Sequence, residues 1–173
     1  FNLLGEGLRE RLDPRLRANL SVGSATAPVL EIRDLTVRYG ARLATWSVGL
    51  RVSAGEVVAL VGESGAGKSS VGRAVVRLLP EPGRIEHGVI RFHGRDLLAL
   101  RGDEMRKLRG AEIALIPQDP LSALNPAFRI GLQATDALRV HRGLPRPAAR
   151  AEMVTLLGRM GIPSSADVLR CYP

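Results

Sequence analysis

The chain is 173 residues long, 45% hydrophobic, with a formal net charge of +8 at pH 7, so it can bury one domain-sized core. Its positive charge is dispersed: residues 129–173 carry +4, no block of five or six like charges occurs, and aromatic residues make up 3%, too few for base-stacking platforms. No run approaches the roughly 18 apolar residues of a membrane-spanning helix, and a single cysteine, Cys171, excludes a disulfide within the sequence.

In chain order, Leu4, Leu8, Leu12, Leu16 and Leu20 recur every four residues with Arg9, Arg11, Arg15 and Arg17 between them. Gly5, Gly7 and Pro14 interrupt that face, so residues 1–20 are expected to form a frayed helix at best. Residues 21–28, with Ser21, Gly23, Ser24 and Pro28, read as a linker. Phe1 stands in place of a start methionine and Pro173 closes no recognisable element, so both ends are expected to be cut points.

From Val29 the pattern becomes that of strands. Leu30 and Ile32, then Leu35 and Val37, alternate with polar residues, and Trp46, Val48, Leu50 and Val52 form a period-two run with Ser47, Gly49 and Arg51 opposite. These two half-buried strands are expected to pair through a turn near Gly40, with Tyr39 at the end of the first. A tyrosine there can pack on its neighbours or stack on a purine base, and its position alone leaves both open.

Glu56 to Val61 is a short apolar run rich in β-branched residues, as expected of a strand buried on both faces. It leads into Gly62-Glu63-Ser64-Gly65-Ala66-Gly67-Lys68-Ser69, which fits the pattern of a phosphate-binding loop, and Ser69 to Leu79 reads as a helix stopped by Pro80. Chance would give about 0.002 such matches in a chain of this composition, so the motif is informative. Glycines at 62, 65 and 67 let backbone N–H groups converge on phosphate oxygens. Lys68 is expected to neutralise the β- and γ-phosphates, with the Ser69 hydroxyl as a Mg²⁺ ligand and the helix N-terminus facing the anion. Lys68 and Lys107 are the only lysines among 25 basic residues, which suits a site that needs a compact point charge.

Val89 to Gly94 reads as a strand into a turn, Asp103 to Arg109 as a short charged helix, and Glu112 to Ile116 as a second apolar core strand. Pro117 and Pro120 end it, leaving Gln118 in a loop where it can be simply exposed or can reach a metal or water beside the phosphates. Helices are expected over Ile130–Val140 and Pro147–Arg159, the latter with Met153, Leu156, Leu157 and Met160 on one buried face and Gly161 as its stop. Ser165 is read as the cap of a last short helix through Leu169. His87, His93 and His141 have no metal-ligand spacing.

Tyr39, the Gly62–Ser69 loop and Gln118 resemble, in order and spacing, the A-loop, Walker A and Q-loop of an ABC transporter ATP-binding subunit. The runs Gln118 to Pro126 and Ala137 to Leu144 are similar to the dipeptide, oligopeptide and nickel importer branch. The resemblance implies an α/β fold of the P-loop NTPase type, with an antiparallel β subdomain and P-loop core over 29–127 and the start of a helical subdomain over 128–173. It also implies an ATP site formed by Tyr39, Gly62, Ser64, Gly65, Ala66, Gly67, Lys68, Ser69, Ser70 and Gln118, with Mg²⁺ held by Ser69 and Gln118. The implied partners are permease subunits, a second ATP-binding subunit and, indirectly, a substrate-binding protein, at the cytoplasmic face of the membrane; no nucleic acid is expected. Residues 2–17 resemble the tail of the cognate permease, which suggests a permease fused to its ATPase.

The signature loop, Walker B strand and switch histidine of the family are not in the sequence, and Arg170 to Pro173 resembles the residues just ahead of the signature loop. No catalytic base is therefore assigned, and the chain by itself is expected to turn over ATP negligibly. The competing readings are a nucleic-acid-handling ATPase with an ABC-like head, a non-hydrolysing nucleotide-binding module and, more remotely, a small-molecule kinase.

Overall fold

The computed structural model describes residues 27–119 and 123–173. The expected helix of residues 1–20, nearly all of the linker, and Pro120, Leu121 and Ser122 lie outside the described residues. The chain divides into two compact units, Phe1–Met105 and Arg106–Pro173.

In the first unit, β1 (Leu30–Tyr39) turns through Gly40 into β2 (Arg42–Val52), with Tyr39 opposite Arg42, as the alternating pattern predicts. Then come α1 (Lys68–Val75), β3 (Gly83–Phe92) and β4 (Arg95–Asp96). The four strands form one sheet in the order β2-β1-β3-β4, and every pairing is antiparallel. β3 begins six residues before the expected Val89 because β1 offers it a full-length edge, from Leu30 opposite Phe92 to Tyr39 opposite Gly83. His93 and Gly94, both with positive φ, close the tight turn into β4.

The change of parity between Leu30/Ile32 and Leu35/Val37 corresponds to a register shift in β1 between Ile32 and Leu35. Asp34 sits in the shift with φ 51 and accepts a hydrogen bond from the Ser47 hydroxyl at 3.0 Å. The bulge packs on Gly88 of β3, where a Cβ would lie 2.7 Å from Leu35 Cα and 2.9 Å from the carbonyl oxygens of Arg33 and Asp34. A second shift, between Leu35 and Val37, alters β2: Val48 pairs with Leu35, but Thr45 rather than Trp46 pairs with Val37.

The expectation that Trp46 lies on the buried face is therefore corrected. The extra residue turns its indole outward, 58% exposed, and buries Thr45. The Thr45 hydroxyl satisfies the interrupted ladder, accepting from Val37 N at 3.0 Å and donating to Leu35 O at 3.4 Å.

Ile32, Leu35, Val37 and Ile90 are fully buried, and α1 packs against β1 and β2 with Val71, Ala74 and Val75 buried. Each such branched aliphatic side chain contributes about 1.5–3 kcal/mol by leaving water. α1 ends at Val75, short of the expected Leu79, because Arg77 takes φ 52 and closes a Schellman motif. In that motif Arg77 N donates to Ala74 O and Leu78 N to Arg73 O. The Arg77 guanidinium donates to Leu97 O at 3.2 Å and Leu100 O at 2.6 Å, which offsets the strain of a non-glycine residue there.

Glu31 is the buried charge of this sheet, and its Oε1 receives Arg33 Nη2 at 2.8 Å and Arg51 Nη2 at 2.9 Å. The hydrogen bond from Arg33, above all, holds its carboxyl below the usual glutamate range. Because the folded pKa is depressed, this contribution to stability is complete above the unfolded glutamate pKa of about 4.3 and is lost as pH falls through the folded value. Glu31→Gln is thus expected to lose less of its urea midpoint between pH 7 and pH 3 than wild type does, the remaining drop including that of Glu86, which Arg38 also holds below the usual range; parallel drops in both would contradict this.

Two expected core strands are not strands among the described residues. Glu56–Val61 makes no ladder, with Val57 96% and Val61 86% exposed; in Glu112–Ile116 only Ile113 makes an isolated parallel bridge, to Arg109, and Ile116 is 86% exposed. Runs of this composition bury both faces only as interior members of a sheet, and no described strand pairs with either.

α2 (Gly102–Leu108) crosses the division between the units, one residue shifted from the expected Asp103–Arg109. The Glu104 carboxylate turns back to accept from Arg101 N at 2.9 Å, which fixes its first turn. The second unit continues with α3 (Ile130–Arg142), α4 (Arg146–Arg159) and α5 (Ser165–Val168). The first N–H groups of α3 donate to Cys171 O and Leu169 O at 2.9 and 3.0 Å, so the end of the chain completes the helix start.

Gly161 stops α4 as expected, with φ 79 and Ile162 N donating to Leu157 O. Two expectations are corrected here. Met160, at the frayed end, is 74% exposed and the fully buried residue of α4 is Ala149. The residue preceding α5 is Ser164, while Ser165 lies inside the helix and donates its hydroxyl to Ile162 O at 2.7 Å.

Candidate functional site

The glycine loop leads directly into α1. Gly65 and Gly67 have φ 85 and 83, and Gly67 occupies the N-cap position without any side-chain cap. Gly67 is also pressed onto β2: a Cβ there would overlap Ala44 O and come within 2.6 Å of Thr45 Cγ2. Two demands therefore converge on one residue, a left-handed backbone and the absence of a side chain.

The N–H groups of Gly65, Gly67, Lys68 and Ser69 make no hydrogen bond with other described residues. Successive free amides at a helix start form a concave donor set suited to phosphate oxygens. Lys68 curls back over the loop, its Nζ donating to Gly62 O at 2.7 Å and Glu63 O at 2.6 Å. The ammonium has three donors, so one remains for an anion in this posture, and more become available if it releases the two carbonyls.

Ser64 and Ala66 lie on the exposed arch of the loop, where Ala66 N donates to Glu63 O at 3.2 Å. The Ser69 side chain is exposed and makes no hydrogen bond with another described residue. Ser70 turns the other way, its hydroxyl donating to the Tyr39 hydroxyl at 3.4 Å. Tyr39 is half-buried, its ring laid over Gly83, where a Cβ would come within 2.5 Å of Tyr39 Cε1.

Of the residues singled out in the sequence, the first unit thus groups Tyr39 with Gly62, Ser64, Gly65, Ala66, Gly67, Lys68, Ser69 and Ser70. Gln118 belongs to the second unit, exposed in a bend after Pro117. Arg42 also faces the loop, although nothing in its local sequence marks it. Its Nη2 stands 3.6 Å from the position a Cβ on Gly65 would take.

The donor set fits a polyphosphate, with four free amides and an ammonium on one short loop. It does not resemble a dedicated metal cage, since no group of three or more His, Cys, Asp or Glu among the described residues could hold an ion. Any divalent ion at Ser69 would need most of its ligands from phosphate and water, which is how Mg²⁺ is commonly held beside nucleotides.

A glycine loop of bare amides that runs into a helix behind an antiparallel sheet defines a nucleotide-binding domain of the phosphate-loop class. Residues 46–170 match the family described as ABC transporter, and the chain belongs to that family. It is 42% identical over 153 residues to the probable D,D-dipeptide transport ATP-binding protein of Escherichia coli (strain K12), covering 86% of this chain and 47% of that relative. It is 39% identical over 150 residues to the oligopeptide transport ATP-binding protein of Bacillus subtilis (strain 168), covering 84% of this chain and 42% of the relative. With the glutathione import ATP-binding protein of Pectobacterium atrosepticum it shares 41% over 155 residues, 84% of this chain and 25% of the relative. The chain therefore spans about half the length of the first two relatives and a quarter of the third. Among the described residues, no helix is long and apolar enough to cross a membrane.

Proposed function

We propose that this chain is the nucleotide-binding part of an ATPase that drives import of short peptides. The observation that carries the reading is the set of unpaired amides of Gly65, Gly67, Lys68 and Ser69 beside the Lys68 ammonium. The names of the relatives supply the cargo class, dipeptides and oligopeptides.

ATP bound here supplies a phosphoryl group for transfer to water, a reaction promoted by positioning and charge neutralisation. In this reading the loop amides hold the phosphate chain and Lys68 exchanges its two carbonyl partners for phosphate oxygens. The Ser69 hydroxyl is a Mg²⁺ ligand, with Gln118 as a second, and Tyr39 offers its ring to adenine while Ser70 steadies its hydroxyl. Residues 29–127 then act as the nucleotide-binding portion and 128–173 as the start of the portion that meets permease subunits. A second ATP-binding subunit and, indirectly, a substrate-binding protein complete the assembly at the cytoplasmic face of the membrane.

Titrating ATP and AMP onto the protein with and without Mg²⁺ tests the site. Tighter binding of ATP than AMP, strengthened by Mg²⁺, is expected; equal affinities would remove the polyphosphate reading. The cargo is tested in cells lacking the gene, which are expected to lose uptake of labelled dipeptide while retaining uptake of free amino acids. Undiminished dipeptide uptake would overturn the peptide assignment.

A further inference from the structure

We propose that Arg42 is an additional phosphate-binding residue of this site, delivered to the loop by the β1–β2 hairpin. The inference rests on the nucleotide reading above. Arg42 is the first residue of β2, directly opposite Tyr39, so the tight turn at Gly40 fixes both relative to the loop. Its guanidinium stands beside Gly65, with Nη2 3.6 Å from the position a Cβ there would take, an ordinary contact distance.

The guanidinium makes no hydrogen bond or ion pair with another described residue, whereas Arg33, Arg38 and Arg51 of the same sheet each hold a carboxylate. The nearby Gly65 amide is equally without a partner among the described residues. An unpaired guanidinium beside an unpaired amide is a donor set awaiting an anion, and the planar fork matches two oxygens of one phosphate. Lys68 serves the Gly62–Glu63 side of the loop and Arg42 the Gly65 side, so a polyphosphate would meet two cations of different shape. Without an anion, two cations facing one loop repel; with one, both are satisfied.

The test compares ATP and adenosine affinities, each at low and high salt, for wild type, Arg42→Ala, Arg42→Lys and Lys68→Ala, with urea midpoints confirming equal folding. Arg42→Ala is expected to weaken ATP about tenfold, as for loss of one charge-assisted hydrogen bond. It should leave adenosine unchanged and flatten the salt dependence of ATP binding, with Arg42→Lys intermediate. If Lys68→Ala weakens ATP and Arg42→Ala does not, the Arg42 assignment fails while the nucleotide site stands. Equal losses of ATP and adenosine in Arg42→Ala would also overturn it, since they point to a role in shape. No effect of Lys68→Ala would instead remove the nucleotide reading.

Discussion

Lys68→Ala is expected to weaken ATP binding by about ten- to a hundredfold while leaving the unfolding midpoint of the nucleotide-free protein nearly unchanged. The two effects separate because of what Nζ touches. Among the described residues it donates only to the Gly62 and Glu63 carbonyls on an exposed loop, where water can replace it. Losing a solvated hydrogen bond costs about 0.5–1.5 kcal/mol at most, and here the carbonyls stay hydrated. Against phosphates the same ammonium makes charge-assisted bonds worth about 1.5–3 kcal/mol, which sets the range of the affinity loss. Calorimetric titration of ATP paired with urea unfolding checks both halves. Unchanged ATP affinity would leave the loop without its proposed role; a collapse of stability would mean that Lys68 is structural.

Gly67→Ala is expected to act in the opposite sense, destabilising the first unit by about 4 kcal/mol or forcing the loop off β2. A non-glycine residue in the left-handed region costs about 1–2 kcal/mol, and φ at Gly67 is 83. The new methyl would also overlap Ala44 O and crowd Thr45 Cγ2, and Ala44 is tethered at a register shift between Leu43 and Thr45, both of which pair with β1. Relieving an overlap of this kind costs about 1–3 kcal/mol more. Thr45 is also the residue whose hydroxyl stitches the β-bulge to Val37 N and Leu35 O, so displacing it reaches the core of the sheet. Urea unfolding, with and without ATP, measures this. Gly49→Ala serves as the control, because its Cβ meets only Ile32 O at 3.9 Å, and it is expected to stay within about 1 kcal/mol of wild type. Equal behaviour of the two variants would contradict the close approach of β2 to the loop.

Much of this was legible in the residues. The loop from Gly62 to Ser69 is a local motif whose chemistry depends on glycines, one lysine and the order strand, loop, helix. The hairpin about Gly40 and the stop at Gly161 are likewise local, decided by alternation and by where a positive φ is cheapest. Even the bulge left a trace, as the parity change between Ile32 and Leu35.

Other features required the fold. Trp46 and Thr45 are adjacent in β2, and which of them is buried depends on an extra residue in a strand pairing that period-two counting assumes to be regular. The helix after the loop stops at Val75 because Arg77 finds the carbonyls of Leu97 and Leu100, some twenty residues away. Val57 to Val61 and Ile113 to Ile116 have the composition of buried strands, yet composition encodes an affinity for burial and not the partner that provides it.

Residue order alone thus sufficed for the family and for the loop proposed here to hold phosphate, since both depend on neighbours within a few positions. The placement of Arg42 beside Gly65, of Tyr39 against Ser70 and of Thr45 beneath the loop came only from the packed chain. Each of those contacts joins residues more than twenty positions apart, and nothing in the identity of either partner specifies the other.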